Sequence, residues 1–225
     1  MKVSIIVPVL NEAERIEKLI NSLMKLNGSK EIIISDGGST DGTLYKLEKF
    51  CDLIIINAPS GRAAQMNAGF EKSTGDILFF LHADSIVSPS CIQDIINAIE
   101  NGFDGGFFKL YFYDADDKFI NFIARTSHTR AKNFSLIFGD QGLFLRRDIF
   151  ISLGGFAKVD LMEDWEISRR LRKFKICALD TLIGTSARRY IKNGRFKTWL
   201  KMNIIKTLYI MGVPTKILRF LYDGK

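Results

Sequence analysis

The chain has 225 residues, of which 47% are apolar, 25% charged and 12% aromatic; this suits one large globular domain, or two lobes sharing a core, and excludes a disordered chain. Four prolines and 18 glycines, without a self-similar period of roughly 20–50 residues, exclude collagen-like, low-complexity and solenoid classes. The net charge of +7 is uneven: from Arg188 onward there are ten Lys or Arg against one Asp, so the first 187 residues sum to −2. A nucleic-acid binder, basic throughout, is disfavoured; a near-neutral body with a basic C-terminal segment suits phosphate or an anionic membrane surface.

Cys51, Cys91 and Cys177 match neither a disulfide framework nor a zinc site and read as buried thiols of a reducing cytosol. No run reaches the ~18 apolar residues of a membrane span, and the apolar run 3–10 is short and lacks a cleavage site. The expectation is a cytoplasmic protein, in which the N-x-S triplets at Asn27 and Asn133 are accidental.

In chain order, the first 85 residues alternate short β-branched runs with helix-like stretches across polar or glycine-rich junctions, the punctuation of βαβ units. Strands are predicted at 3–9, 31–35, 52–56 and 76–81, each apolar enough to be buried on both faces of a parallel sheet. Residues 13–25 place Ile16, Leu19, Ile20 and Leu23 on one helical face. Thr40 or Asp41 caps the next helix, Ser60 or Gly61 opens a third, and Pro89 sits in the first turn of a fourth carrying Ile92, Ile95, Ile96 and Ile99. Right-handed crossovers bring every strand-to-helix loop to one edge, where open α/β sheets bind ligands.

The second half reads as a strand at 105–113, a helix at 116–130, a short strand at 142–145, a flexible turn at Gly154-Gly155-Phe156 and a helix at 162–173 capped by Asp160. Strands at 176–179 and 184–187 follow, then a basic amphipathic helix at 195–212, Pro214 and a last short helix. No linker-like shift in composition separates the halves, so one domain of residues 1–225 with two lobes is expected.

Four loops hold most of the polar chemistry of the first half. Asp36 to Thr43, DGGSTDGT, follows a buried strand: a carboxylate there can accept from a base N–H, and glycines such as Gly38 let backbone approach a ligand closely. Pro8 to Glu12 can hold a flat heterocycle and accept from hydroxyls. Gly61-Arg62, with Asn67 one turn on, can meet a pyrophosphate. His82-Ala83-Asp84 puts two potential ligands on one side of an extended segment, where a divalent cation could bridge phosphates.

In this order the loops resemble the family 2 glycosyltransferases of the GT-A fold, a Rossmann-like, mostly parallel sheet flanked by helices, with a smaller acceptor lobe. The likeness rests on Ile5-Ile6-Val7-Pro8 with Asn11-Glu12, Asp36 to Thr43, Gly61 to Asn67, Gly75-Asp76 and Asp84. It continues through Gly154-Gly155-Phe156, Met162-Glu163-Asp164-Trp165-Glu166 and Arg169-Arg170-Leu171. It spans about residues 3 to 190, and Phe138-Gly139-Asp140-Gln141-Gly142 with Thr185-Ser186-Ala187-Arg188-Arg189 resemble a compact bacterial subgroup.

The resemblance implies inverting transfer of a sugar from a nucleoside-diphosphate donor, UDP favoured over GDP, to an acceptor hydroxyl or phosphate. Residues 1–100 would bind the donor, 101–190 would form the acceptor and catalytic half, and 191–225 a basic helical segment. Pro8, Asn11, Glu12, Asp36, Gly38, Arg62, Asn67 and Asp84 are the implied nucleotide-binding residues, with Asp164 as general base and Glu163 beside it. Gln141, Trp165, Arg188 and Arg189 fall on the acceptor and leaving-group side. Loss of the acceptor proton and departure of the diphosphate need a carboxylate and a positive charge.

Departures from the pattern bear on the cofactor. The usual Asp-x-Asp reads His82-Ala83-Asp84, so the implied Mg²⁺ or Mn²⁺ has Asp84, and His82 if imidazole serves; Arg188 and Arg189 can share the diphosphate charge. The only other histidine, His128, falls in a predicted helix and reads as packing, and Gly37 replaces a second acid after Asp36. The basic helix, which includes Trp199, can lie on a membrane or receive a lipid-linked acceptor, or its apolar face can close the acceptor lobe or a dimer contact. A nucleotidyltransferase would carry a glycine-rich basic loop after the first strand, where Pro8 to Glu12 stands; a non-catalytic sugar-nucleotide or lipid-phosphate binding module remains the alternative. The oligomeric state, the sugar and the acceptor leave no signature in the sequence.

Overall fold

The computed structural model describes residues 1–224. Its four N-terminal apolar runs become β1 (Val3–Val9), β2 (Lys30–Asp36), β3 (Leu53–Asn57) and β4 (Ile77–Phe80). All pair in parallel, β1 lying between β2 and β4, with β3 outside β2. Between them run α1 (Ile16–Met24), α2 (Thr43–Leu47) and α3 (Arg62–Lys72). The two-residue strand β5 (Ile86–Val87) and α4 (Cys91–Glu100) follow; α4 starts two residues beyond Pro89, which thus precedes the helix rather than entering its first turn.

Alternation along β1 explains why the runs are apolar throughout. Ile5, Val7 and Val9 pack under α1 and α4, against Ile16, Leu19, Ile92 and Ile95. Ile6 points to the opposite face, with Ile33, Leu78 and Phe80, under Ala63 and Met66 of α3. Both faces are therefore core, and each fully buried aliphatic side chain contributes about 1.5–3 kcal/mol.

The second half extends the same sheet with mixed directions. β6 (Gly105–Phe112), β7 (Phe144–Arg146) and β8 (Ile176–Thr185) complete the order β3-β2-β1-β4-β7-β6-β8-β5; β7 is antiparallel to β4 and β6, and β5 closes the far edge antiparallel to β8. The two strands expected near 176–179 and 184–187 are one, β8, with an irregularity opposite Phe107 and Lys109. Asp180 and Thr181 lie in that irregularity and break the apolar pattern.

The remaining elements are α5 (Lys118–Phe134), a 3₁₀ turn (Gly139–Gln141), α6 (Arg147–Ser152), α7 (Glu163–Leu171), α8 (Arg188–Asn193), α9 (Arg195–Ile210) and α10 (Thr215–Asp223). Asp160 does not cap α7. The residue before the helix is Met162, in the left-handed region at φ 70° with no side-chain cap, a conformation that strains a non-glycine residue. Of the cysteines only Cys91 is buried; Cys51 is exposed and Cys177 half-buried.

A third, smaller cluster lies apart from the sheet's two faces. Leu161, Met162 and Trp165 at the start of α7 pack on Ile205 of α9 and Leu218 of α10. The basic C-terminal segment is thereby docked beside the carboxyl ends of β1 and β4. Among the described residues, no helix is long and apolar enough to cross a membrane.

Candidate active site

A cavity of about 790 Å³ opens at those carboxyl ends, the edge that parallel crossovers leave for a ligand. Pro8 to Leu10, Glu12, Gly61, Arg62, His82 and Asp84 line it from the first half of the chain, and Gly139, Asp140, Asp164, Trp165, Arg188 and Arg189 from the second. A more apolar wing runs between α5 and α9, past Phe122, Ile123, Trp199, Met202 and Ile205.

Nine of the residues selected from the sequence thus share one cavity: Pro8, Glu12, Arg62, His82, Asp84, Asp164, Trp165, Arg188 and Arg189. Asn11, Asp36, Gly38, Asn67, Gln141 and Glu163 lie outside its lining. Asp36 is 1% exposed, beside Val9 in the β1–β2 register. Its Oδ2 accepts from the N–H groups of Gly38 and Ser39, both at 3.0 Å, and its Oδ1 is buried with no partner. Asn11, in the left-handed region at φ 56°, ties two loops together: its N–H donates to Ser39 Oγ at 2.9 Å and its Oδ1 accepts from Thr40 N–H at 2.8 Å. Asn67 clamps the Gly154-Gly155-Phe156 turn through both the N–H (2.9 Å) and the carbonyl (2.9 Å) of Phe156.

Glu163 and Asp164 are separated by helical geometry, since consecutive residues point about 100° apart. Asp164 faces the cavity. One of its oxygens accepts from Gly139 N–H at 3.1 Å and the other from Trp165 N–H at 2.7 Å, so the carboxylate is held from both sides. Glu163 turns inward, 3% exposed, and receives the guanidinium of Arg62 at 2.8 Å. Burial, helped by Asp164, raises the Glu163 carboxyl above its ordinary range although Arg62 opposes this. Burial works against the Arg62 charge, but Glu163 and then Asp164 leave it above its usual value. The pair anchors the α3 loop to the start of α7, so Glu163 acts on the site by positioning Arg62.

The 3₁₀ turn places Gln141, expected on the acceptor side, outside the cavity lining. Gln141 is fully buried, its Oε1 accepting from Phe138 N–H at 3.2 Å and from Arg130 at 3.4 Å. Asp140, its neighbour, lines the cavity instead and has an unpartnered buried Oδ1. Burial first, then Asp164 and Asp84, push Asp140 up to about 6 against the pull of Arg130. Asp84 is raised by burial too, opposed chiefly by Arg188. Glu12 is held by Arg188 at 3.1 Å and Arg15 at 3.4 Å.

His82 packs on the same turn: a Cβ at Gly139 would sit 2.4 Å from His82 Nε2, so only glycine fits there. Burial, then Arg62, bring the imidazole down to about 4, leaving it neutral at physiological pH. Among the described residues no three His, Cys, Asp or Glu side chains gather to hold one ion. Asp84 is the single hard oxygen donor of its stretch, with Asp140 and Asp164 across the same cavity, a set that suits a Mg²⁺ or Mn²⁺ ion completed by phosphate oxygens of a ligand rather than a centre built from protein ligands alone.

Sequence reasoning also passes over Gln65, Arg130 and Lys206. Gln65 Nε2 donates to the carbonyls of Val9 (2.7 Å) and Ser35 (2.8 Å), pinning the ends of β1 and β2 where they meet the cavity. Arg130 of α5 and Lys206 of α9 line the inner cavity, and helical position alone gave neither a signal.

A family model described as Glycosyl transferase family 2 matches residues 4–156. The mannosyltransferase PcManGT from Pyrobaculum calidifontis, solved in complex with GDP-Man and Mn²⁺, superposes with a TM-score of 0.69 at 17% identity, over 97% of this chain and 69% of that one. TarS from S. aureus, solved in complex with UDP-GlcNAc, gives 0.66 at 19% identity over 83% and 58%. At such identities the likeness speaks for the fold, which is of the GT-A type. An undecaprenyl-phosphate 4-deoxy-4-formamido-L-arabinose transferase from Proteus mirabilis (strain HI4320) is 32% identical over 114 residues, 46% of this chain and 35% of that protein; the chain thus spans about a third of the length of that curated relative. With the family model covering two thirds of the chain, including β1 to β7 and the cavity residues Pro8 to Leu10, Glu12, Arg62 and Asp84, the chain belongs to glycosyl transferase family 2.

Proposed function

We propose that this chain transfers a glycosyl group, with inversion, from a nucleoside-diphosphate sugar to an acceptor hydroxyl or phosphate oxygen. UDP is taken ahead of GDP, as in the sequence reading; the bound nucleotides of TarS and PcManGT support the donor class. The observation that carries the proposal is the meeting of Asp84, Asp164 and the Arg188–Arg189 pair, from three separate segments, in one cavity at the carboxyl ends of the parallel strands.

In this reading Pro8 to Leu10 face the nucleoside, and the diphosphate lies toward Asp84, Arg62 and the Arg188–Arg189 pair. The acceptor oxygen attacks the anomeric carbon from the Asp164 side. As that bond forms, the bond from the anomeric carbon to the diphosphate oxygen breaks and its electron pair leaves with the diphosphate. A hydroxyl acceptor passes its proton to Asp164, whose orientation is set in advance by Gly139 and Trp165 N–H; an ionised phosphate oxygen attacks with no proton to give up. Arg188 and Arg189 meet the charge that develops on the leaving group. A divalent cation, where bound, would be held by Asp84 together with the diphosphate oxygens and would supply further charge neutralisation to the leaving group; Asp36 reads the base only if entry of the donor exposes its free Oδ1.

The test is Asp164→Asn, assayed by release of UDP or GDP in the presence of acceptor. The variant should bind donor as the wild type does and lose about 10²–10⁴-fold in transfer. Transfer at the wild-type rate would remove the base assignment, and a chain that binds donor without any turnover would be the binding module instead. We further propose a peripheral placement on the cytoplasmic face of a membrane, supported by the lipid-phosphate name of the Proteus relative and by the apolar and basic surface of α9 and α10 argued below.

A further inference from the structure

Two half-buried cations lining the cavity have no carboxylate partner among the described residues. Arg130 and Lys206 both line it, and both stand over the ring of Phe138, the Arg130 guanidinium at 3.9 Å and the Lys206 ammonium at 5.4 Å from its centroid. Arg130 donates to the Leu136 carbonyl (3.2 Å), Ser127 Oγ (3.4 Å) and Gln141 Oε1 (3.4 Å). Lys206 donates to Asn203 Oδ1 at 3.2 Å. All these acceptors are neutral. Among the described residues neither cation forms an ion pair with a carboxylate, although Asp140 and Asp164 act on both from across the cavity.

Two like charges sharing one aromatic ring in a partly dry cavity are unfavourable unless an anion joins them. The contact with Phe138 offsets only part of that penalty. Beyond the pair, the cavity continues into its apolar wing, so the place for the missing anion lies between the Asp164 carboxylate and a hydrocarbon-lined space.

We propose that Arg130 and Lys206 form an anion seat for a phosphate group carried by the acceptor. The inference rests on the glycosyl-transfer reading and narrows its acceptor to a phosphorylated molecule. Such a phosphate can come from a prenyl-type lipid, whose chain the apolar wing would take, or from a soluble phosphorylated acceptor. The seat anchors the acceptor while the oxygen to be glycosylated lies toward Asp164.

Isothermal titration of the full chain, with and without UDP, tests this with farnesyl phosphate, farnesol and inorganic phosphate as probes. A phosphate-bearing probe should bind. Arg130→Gln and Lys206→Gln should each weaken it by about tenfold or more, the loss expected for one charge-assisted hydrogen bond. Lys206→Arg should restore binding, and UDP affinity should not change in any variant. Farnesyl phosphate binding far tighter than inorganic phosphate assigns the seat to a lipid-linked acceptor; equal binding of the two, both lost in the variants, assigns it to a soluble one.

Farnesol binding as tightly as farnesyl phosphate, wild-type binding in both Gln variants, or no binding of either phosphate probe would overturn the seat. Lys206 has one hydrogen-bond partner, so Lys206→Gln remains informative even if Arg130→Gln destabilises α5. Loss of nucleotide binding with phosphate binding intact would fault the glycosyl-transfer proposal and leave the seat standing.

Discussion

Asp140 shows how burial of a single carboxyl sets a pH dependence of stability. A carboxyl held at about 6 in the folded chain, against an ordinary value near 3.9, binds its proton more tightly folded than unfolded. Between these values the folded state holds more protons than the unfolded one, so stability falls as pH rises through that window and stays lower above it. Asp140→Asn removes the ionisable group. It should raise the melting temperature at pH 7 to 8, with a gain on the order of 1–3 kcal/mol, and the gain should vanish below about pH 4. Melting curves of both proteins from pH 3.5 to 8 check this, and a difference independent of pH would refute it. Arg62 and Glu163 show the opposite arrangement: the buried Glu163 carboxylate meets the half-buried Arg62 guanidinium at 2.8 Å, so removing Arg62 strands a buried charge.

Among the elements, α10 carries the clearest mechanical consequence. Its anchor, Leu218, is fully buried but belongs to the small cluster with Leu161, Met162, Trp165 and Ile205, not to the two clusters that sandwich the sheet. Leu218→Ala should therefore cost about 2–5 kcal/mol locally without unfolding the sheet. Hydrogen exchange in α9 and α10 should accelerate strongly while β1, β2 and β4 keep their protection; uniform acceleration across the sheet would show that the C-terminal helices are not a separate unit.

The same division explains what could be seen in the sequence. Strands β1 to β4 were legible because a parallel strand buried on both faces is a continuous apolar run, and their loops had to converge on one edge. Strand β8 was read as two because Asp180 and Thr181 interrupt its pattern at an irregularity that only the pairing with β6 reveals. Short elements such as β5, α6 and α8 offer too few residues for a period. The site divides similarly. Loop residues next to strand ends, Asp84 and Arg62 among them, announce themselves by position, whereas Arg130 and Lys206 reach the cavity from the middle of helices whose docking is tertiary. Gln141, expected on the acceptor side, is turned into the core by the 3₁₀ turn, which sets Asp140 toward the cavity instead.

At the scale of the whole molecule, charge and exposed apolar surface coincide. The excess of Lys and Arg lies beyond residue 187. The same segment exposes Phe196, Leu200 and Ile204 at four-residue spacing along α9, and Ile217, Phe220 and Leu221 on α10. Apolar side chains ringed by cations match an anionic bilayer surface, where each Lys or Arg adds about 1 kcal/mol at low salt. Such a placement would bring the apolar wing of the cavity within reach of a lipid-linked acceptor. The chain should therefore float with vesicles containing phosphatidylglycerol at low salt, float poorly with neutral vesicles, and release when salt shortens the reach of the charges. Replacing Ile217 and Phe220 together by Ser should weaken the partition by at least about tenfold, since two bilayer-facing side chains lose their apolar burial. The fold should tolerate the change, both positions being exposed. Absence of co-migration with anionic vesicles at low salt would remove the membrane placement, and would turn the acceptor toward the soluble phosphorylated kind.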